Sequence, residues 1–123
     1  MAKRFTRPAA AALDKTNYLY IRSGDGHRFI AVWPVVVNGR LFARSWNDKP
    51  TGWRRAFLED PNGEIRIGER VIRVRARRVT GERLNAVIDE AYRAKYNSKS
   101  SRKWTRGLTR GTRRETTTEF IPR

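Results

Sequence analysis

The chain has 123 residues, enough for one domain that buries its own core without cross-links. It has no cysteine and a single histidine, which excludes thiolate catalysis, Cys-ligated zinc, iron–sulfur clusters and a His-rich metal site. Lys and Arg number 28 against 12 Asp and Glu, a net charge of +16. That balance draws polyanions such as nucleic acid, anionic lipid or phosphorylated small molecules, yet it does not by itself define a site.

The N-terminal arm, residues 1–17, carries Lys3, Arg4 and Arg7 and then a short helix over Pro8–Asp14, favoured by Pro in the first turn and the alanine run. Its apolar part is too short for a secretory signal. The longest apolar run of the chain, Phe29–Val37, is broken by Pro34 and cannot span a bilayer. A cytoplasmic location and no membrane partner are expected.

Residues 18–123 read as the main domain. A first strand covers Tyr18–Ser23 and reverses at Gly24-Asp25-Gly26. A second strand runs from His27 to Val37, with Pro34 marking an edge or a bulge because it has no N–H to donate. Asn38-Gly39 is the strongest hairpin signal, since both residues tolerate a positive φ. A third strand, Arg40–Ser45, leads into a polar loop with Trp46, Lys49 and Pro50. A short helix over Gly52–Leu58, capped by Thr51, turns Trp53 and Phe57 to one side.

A fourth strand is expected at Glu64–Ile67 and a fifth at Arg70–Val79. In the fifth, Ile72, Val74 and Ala76 alternate with Arg73, Arg75 and Arg77, so one face is apolar and the other basic. After a cap at Thr80, a long amphipathic helix places Leu84, Val87, Ile88, Ala91 and Tyr92 on one stripe and ends near Tyr96. Asp89 and Glu90 read as a solvent-facing pair balancing Arg83 and Arg93. Residues 97–111 form a basic loop or weak helix with Trp104 and Leu108 as anchors, and a sixth strand covers Thr112–Ile121. Short antiparallel strands joined by tight hairpins predict a mainly β, α+β domain: a small six-stranded antiparallel barrel with one short and one long helix.

The stretch Gly26–Trp33 leading into Val35–Ser45 through Asn38-Gly39 resembles the first hairpin of the flavin-binding split barrels, relatives of pyridoxamine phosphate oxidase. Trp53, Glu59-Asp60-Pro61, Gly68 and the strand running into Thr80-Gly81-Glu82-Arg83 resemble the deazaflavin-dependent nitroreductase branch. The pairs Val32-Trp33 and Arg44-Ser45, with Trp53-Arg54-Arg55, Ala91–Tyr96 and the final Pro122-Arg123, are most similar to a bacterial domain family of unknown function in that superfamily.

The resemblance implies a flavin-type cofactor, FMN or a deazaflavin, a hydride-transfer oxidoreductase and a homodimer. It places the cofactor near Arg28, Trp33, Arg44, Ser45, Trp46, Lys49, Trp53 and Arg54. Arginine and lysine there would grip phosphate, and the tryptophans would wall the ring. The same residues also read as surface charges beside a Trp53–Phe57 core pair. No catalytic acid or base and no metal ligand is assigned.

The alternative from another class is a non-catalytic nucleic-acid or polyanion-binding module. It would use Arg73, Arg75 and Arg77 on the fifth strand together with Lys103, Arg106 and Arg110 around Trp104, since basic grooves with interleaved aromatics hold single strands.

Overall fold

The computed structural model describes residues 4–123, so the first three residues of the expected N-terminal arm lie outside it. Helix α1 (Arg7–Lys15) starts at Thr6, whose hydroxyl oxygen accepts from the Ala9 N–H at 3.3 Å, with Pro8 in its first turn. There follow β1 (Leu19–Ser23), β2 (Ile30–Val32), β3 (Pro34–Val37), β4 (Arg40–Ala43), α2 (Trp53–Glu59), β5 (Asn62–Ile67) and β6 (Arg70–Arg78). The chain ends with α3 (Glu82–Lys95), α4 (Arg102–Leu108), a 3-10 turn (Gly111–Thr116) and β7 (Thr118–Pro122).

Every strand pairing is antiparallel, and the seven strands make one sheet in the order β2-β1-β5-β6-β7-β4-β3. Strands β2 and β3 stand at opposite ends of that order, yet only Trp33 separates them in the chain. One kinked segment therefore closes the sheet into a split β-barrel. The six strands expected become seven because the second is divided at Trp33-Pro34. Its first half pairs with β1 (Leu19 opposite Val32) and its second half with β4 (Val35 opposite Phe42). Proline cannot donate to a continuous ladder, so the break falls where the sequence places it.

Helix α3 covers the break. The Tyr92 hydroxyl donates to the Trp33 carbonyl at 2.8 Å and accepts from the Arg44 N–H at 3.0 Å, tying the kink to the end of β4. The Tyr96 hydroxyl and Lys95 Nζ donate to the Pro34 carbonyl at 2.6 and 3.0 Å, and Lys95 also reaches the Leu13 carbonyl of α1 at 3.3 Å. The Ala91–Tyr96 stretch thus fastens the two ends of the sheet.

The barrel interior is filled by Leu19, Ile21, Val32, Leu41, Ala43, Ile65, Val74 and Phe120, with Leu13, Trp53 and Phe57 contributed by helices. A second apolar cluster lies between β3–β4 and α3, built on Val35, Phe42, Ile88, Tyr92 and Tyr96. Strand β4 serves both: Leu41 and Ala43 face inward and Phe42 faces the helix. The Asn38-Gly39 turn has φ of 51° and 76°, the paired positive values of a type I′ hairpin. In β6, Ile72, Val74 and Ala76 pack on the core while Arg73, Arg75 and Arg77 are exposed.

Local corrections follow from hydrogen-bond competition. Helices α2 and α3 are preceded by Gly52 and Gly81 without side-chain caps, so Thr51 and Thr80 do not cap them. The last strand begins at Thr118 and not at Thr112. The hydroxyls of Thr116 and Thr117 bond back to the carbonyls of Arg113 and Arg114 at 2.6 Å each, which favours a 3-10 turn over a ladder. Within 97–111, residues Arg102–Leu108 form the helix α4.

Candidate functional site

The four tryptophans of the chain converge on one cavity of about 390 Å³ beside the kink. It lies between β2–β3, the end of β4, the loop after it, α2 and α4. Its lining includes Val32, Trp33, Ser45, Trp46, Trp53 and Trp104.

Each ring is held differently. Trp33 stacks on Tyr96 with ring centres 4.6 Å apart and planes at 17°. Trp53 stands among Phe57 and Phe120 of the barrel core at 6.3 and 6.0 Å. Trp104 is 43% exposed and meets Trp46 edge-on at 4.9 Å. Trp46 packs against both Gly107 and Arg113. The guanidinium carbon of Arg113 is 3.6 Å from the ring centre, and its Nε donates to the Trp46 carbonyl at 2.9 Å. A Cβ on Gly107 would fall 2.4 Å from the Trp46 ring, so this helix position must be glycine for the ring to pass.

Arg44 sits at the rim, but its side chain is fully buried and points away into the protein. Nε donates to the Thr117 hydroxyl at 2.9 Å. One terminal nitrogen donates to Asp89 at 2.5 Å and to the Leu108 carbonyl at 3.0 Å, and the other to the carbonyl and side-chain oxygens of Asn85, both at 3.1 Å. All five N–H groups of the guanidinium are used. Asp89 also accepts from Arg114 Nε at 3.0 Å. Arg44 therefore joins β4, α3, α4 and the approach to β7, and it is not free to grip a phosphate.

This corrects the reading of Asp89 as a solvent-facing residue. The buried stripe of α3 is Asn85, Ile88, Asp89 and Tyr92, rotated from the expected one, and Val87 is 44% exposed. A buried arginine requires acceptors, and α3 supplies them. Only Glu90 behaves as read, pairing with Arg93.

Burial pushes the phenols of Tyr92 and Tyr96 well above their ordinary range. Burial also lowers the Lys95 ammonium, against the pull of Asp14.

A family model described as "Uncharacterized protein conserved in bacteria (DUF2255)" matches residues 11–120. The chain belongs to that family. No curated protein sequence matches it. Among solved structures it is similar to an F420-H2-dependent reductase, at 17% identity over 85% of this chain and 91% of that one, with a TM-score of 0.59. It is similar to an FAD-binding protein from Mesorhizobium loti at 13% identity over 99% and 91%, with a TM-score of 0.54. A chain described as a domain-swapped dimer matches at 19% identity over 90% and 82%, with a TM-score of 0.58. At these identities the likeness is one of fold.

Of the residues expected around a cofactor, Trp33, Arg44, Ser45, Trp46 and Trp53 meet at the cavity. Arg28 and Lys49 are exposed and do not line it, and Arg54 pairs with Asp48 at 2.9 Å. The phosphate clamp expected of Arg44, Lys49 and Arg54 is thus not assembled there. Ala31, Val32, Asn47, Trp104 and Leu108 complete the lining. Trp104 and Leu108 were legible as anchors of a basic segment, but nothing in their spacing points to Trp46.

The six residues of the polyanion alternative divide between β6 and the α4 region and do not meet in one cavity. On β6, Arg77 donates to Glu119 at 2.7 Å and Arg75 to Asn62 at 3.5 Å, while Arg73 is exposed. On and after α4, Lys103 leans over Trp104, and Arg106 and Arg110 line a separate cleft. Among the described residues there is no group of His, Cys, Asp and Glu able to hold a metal ion. Nor is any described helix long and apolar enough to cross a membrane.

Proposed function

We propose that the protein binds the ring system of a flavin or deazaflavin in the tryptophan-walled cavity and acts as an oxidoreductase, assembled as a homodimer. The observation that carries this reading is the convergence of all four tryptophans on one cavity of about 390 Å³, a volume within the range of small-molecule sites. Names among the fold neighbours support it: one is an F420-H2-dependent reductase, one an FAD-binding protein, and one a domain-swapped dimer.

The cavity suits a flat aromatic ring. Its walls are mostly apolar and its lining holds no carboxylate or imidazole. A bound flavin-type group would supply hydride transfer. The chain's own part is to hold the ring against Trp46 and Trp53. The Ser45 hydroxyl donates to the Asn47 carbonyl at 3.0 Å and so fixes the rim loop. No lining side chain is placed as a general acid or base, which leaves proton delivery to substrate or solvent.

The test is titration of the full chain with FMN and with a deazaflavin, followed by tryptophan fluorescence and ligand absorbance. Saturable quenching is expected with one of them, weakened by about tenfold or more in Trp46→Ala and Trp53→Ala. Absence of saturable quenching with both ligands would refute the proposal. Sedimentation equilibrium checks the dimer.

A further inference from the structure

A second cavity, of about 310 Å³, opens between α3 and α4 on the side of α4 away from the tryptophans. Its lining holds Arg93, Arg102, Arg106 and Arg110, from two helices and the residue before the 3-10 turn. Its floor is Tyr96, Thr105 and Thr109, each buried.

The floor offers a ligand no proton. The hydroxyls of Thr105 and Thr109 donate to the carbonyls of Tyr96 and Thr105 at 2.8 and 3.0 Å, and Tyr96 donates to Pro34. Recognition in this cleft therefore falls to the guanidinium groups, with the Asn97 amide beside them. Arg93 is neutralised by Glu90. Arg102 is oriented by donating its Nε to the Asn97 carbonyl at 3.2 Å, which leaves its terminal nitrogens free for a ligand. Among the described residues no carboxylate pairs with Arg102, Arg106 or Arg110.

Arg102 and Arg106, one turn apart on α4, repel each other, and Arg110 adds a third like charge just beyond the end of that helix, so an anion among them relieves the repulsion. Some arginines elsewhere have acidic partners, Arg40 and Arg77 sharing Glu119 and Arg114 taking both Glu82 and Asp89, while Arg73 and Arg75 on β6 have none among the described residues and line no common cleft.

The geometry points to this cleft as a binding site for the diphosphate group of a small phosphorylated ligand, distinct from the tryptophan cavity and independent of its ligand. One phosphate carries about −1.5 to −2 charge and would leave the three unneutralised guanidinium groups in excess, whereas two joined phosphates match them. The planar fork of arginine suits phosphate oxygens. The cleft is open to solvent and its volume, about 310 Å³, is room for a compact diphosphate group.

The probe is inorganic pyrophosphate, titrated calorimetrically into the full chain at physiological ionic strength. One-site binding is expected, weakened by about tenfold or more in Arg106→Ala/Arg110→Ala and changed by less than about twofold in Arg73→Ala/Arg75→Ala on β6. All four replaced residues are exposed, and unchanged melting temperatures would show that the variants fold. Four results would overturn the inference. The first is no saturable binding. The second is equal weakening in both variants, which would mean a diffuse positive field. The third is binding of orthophosphate as tight as that of pyrophosphate. The fourth is a short oligothymidylate bound more tightly than pyrophosphate, with both arginine groups required, which would mean a nucleic-acid surface.

Discussion

Replacing Tyr92 by Phe removes one oxygen from a fully buried position and leaves two backbone groups without their partner, the Trp33 carbonyl and the Arg44 N–H. A buried polar group left unpaired costs about 1–3 kcal/mol, so with two such groups the variant should lose about 2–6 kcal/mol of stability. Tyr96→Phe is the matched control. It too removes a buried hydroxyl, but the Pro34 carbonyl keeps its bond from Lys95, and the expected loss is about 1 kcal/mol. In a domain of this size each kcal/mol shifts the melting temperature by roughly 3–5 °C. Thermal and urea unfolding should therefore separate the two variants clearly, with Tyr92→Phe the weaker. Equal losses, or the greater loss in Tyr96→Phe, would refute the reasoning that α3 fastens the kinked segment through Tyr92.

The same pair sets an alkaline limit. Burial raises both phenols in the folded state above their free value of about 10, so their contribution is complete below that pH and is lost as pH rises beyond it. Lys95, lowered by burial, acts in the opposite sense, but two phenols outweigh one amine. Stability should fall above about pH 10, and less steeply in Tyr92→Phe.

Two further predictions rest on single residues. Burial raises the Glu119 carboxyl, but Arg40 and Arg77 outweigh it and hold the group below its ordinary range. Its contribution is present above about pH 4.5 and lost as pH falls, so Glu119→Gln should be less stable at neutral pH, with the gap closing in acid unfolding measurements. Gly107→Ala would ordinarily stabilise a helix by about 1 kcal/mol. Here the new methyl meets the Trp46 ring, and a lower melting temperature, altered tryptophan fluorescence and weaker flavin binding are expected.

Features written into adjacent residues were legible. Asn38-Gly39 fixed its turn by φ alone, and the alternation of β6 told which arginines face outward. Pro34 marked the interruption of the second strand, though not that its two halves would join opposite ends of one sheet. What escaped reading depends on partners far along the chain. Arg44 looks like any rim arginine until Asn85, Asp89 and Thr117 are brought to it. Asp89 looks like a surface acid for the same reason. The run Thr116–Thr118 has strand composition, but two of its hydroxyls turn back on local carbonyls. The tryptophan cavity was visible in part, because Trp33, Trp46 and Trp53 fall in the stretch that carries the family resemblance, while Trp104 comes from a helix with no such mark.

The closure through Trp33 has a mechanical consequence. Six joints of the cylinder are backbone ladders that come apart only by unzipping. The seventh is the chain itself bending at Trp33-Pro34, held to α3 by a pair of phenols and one ammonium on two carbonyls, and the ring pocket lies beside it. Rotation of a few side chains can loosen that seam while every ladder stays intact. Amide exchange should accordingly be fastest beside Trp33, and a guest molecule can enter or leave there without the host unfolding.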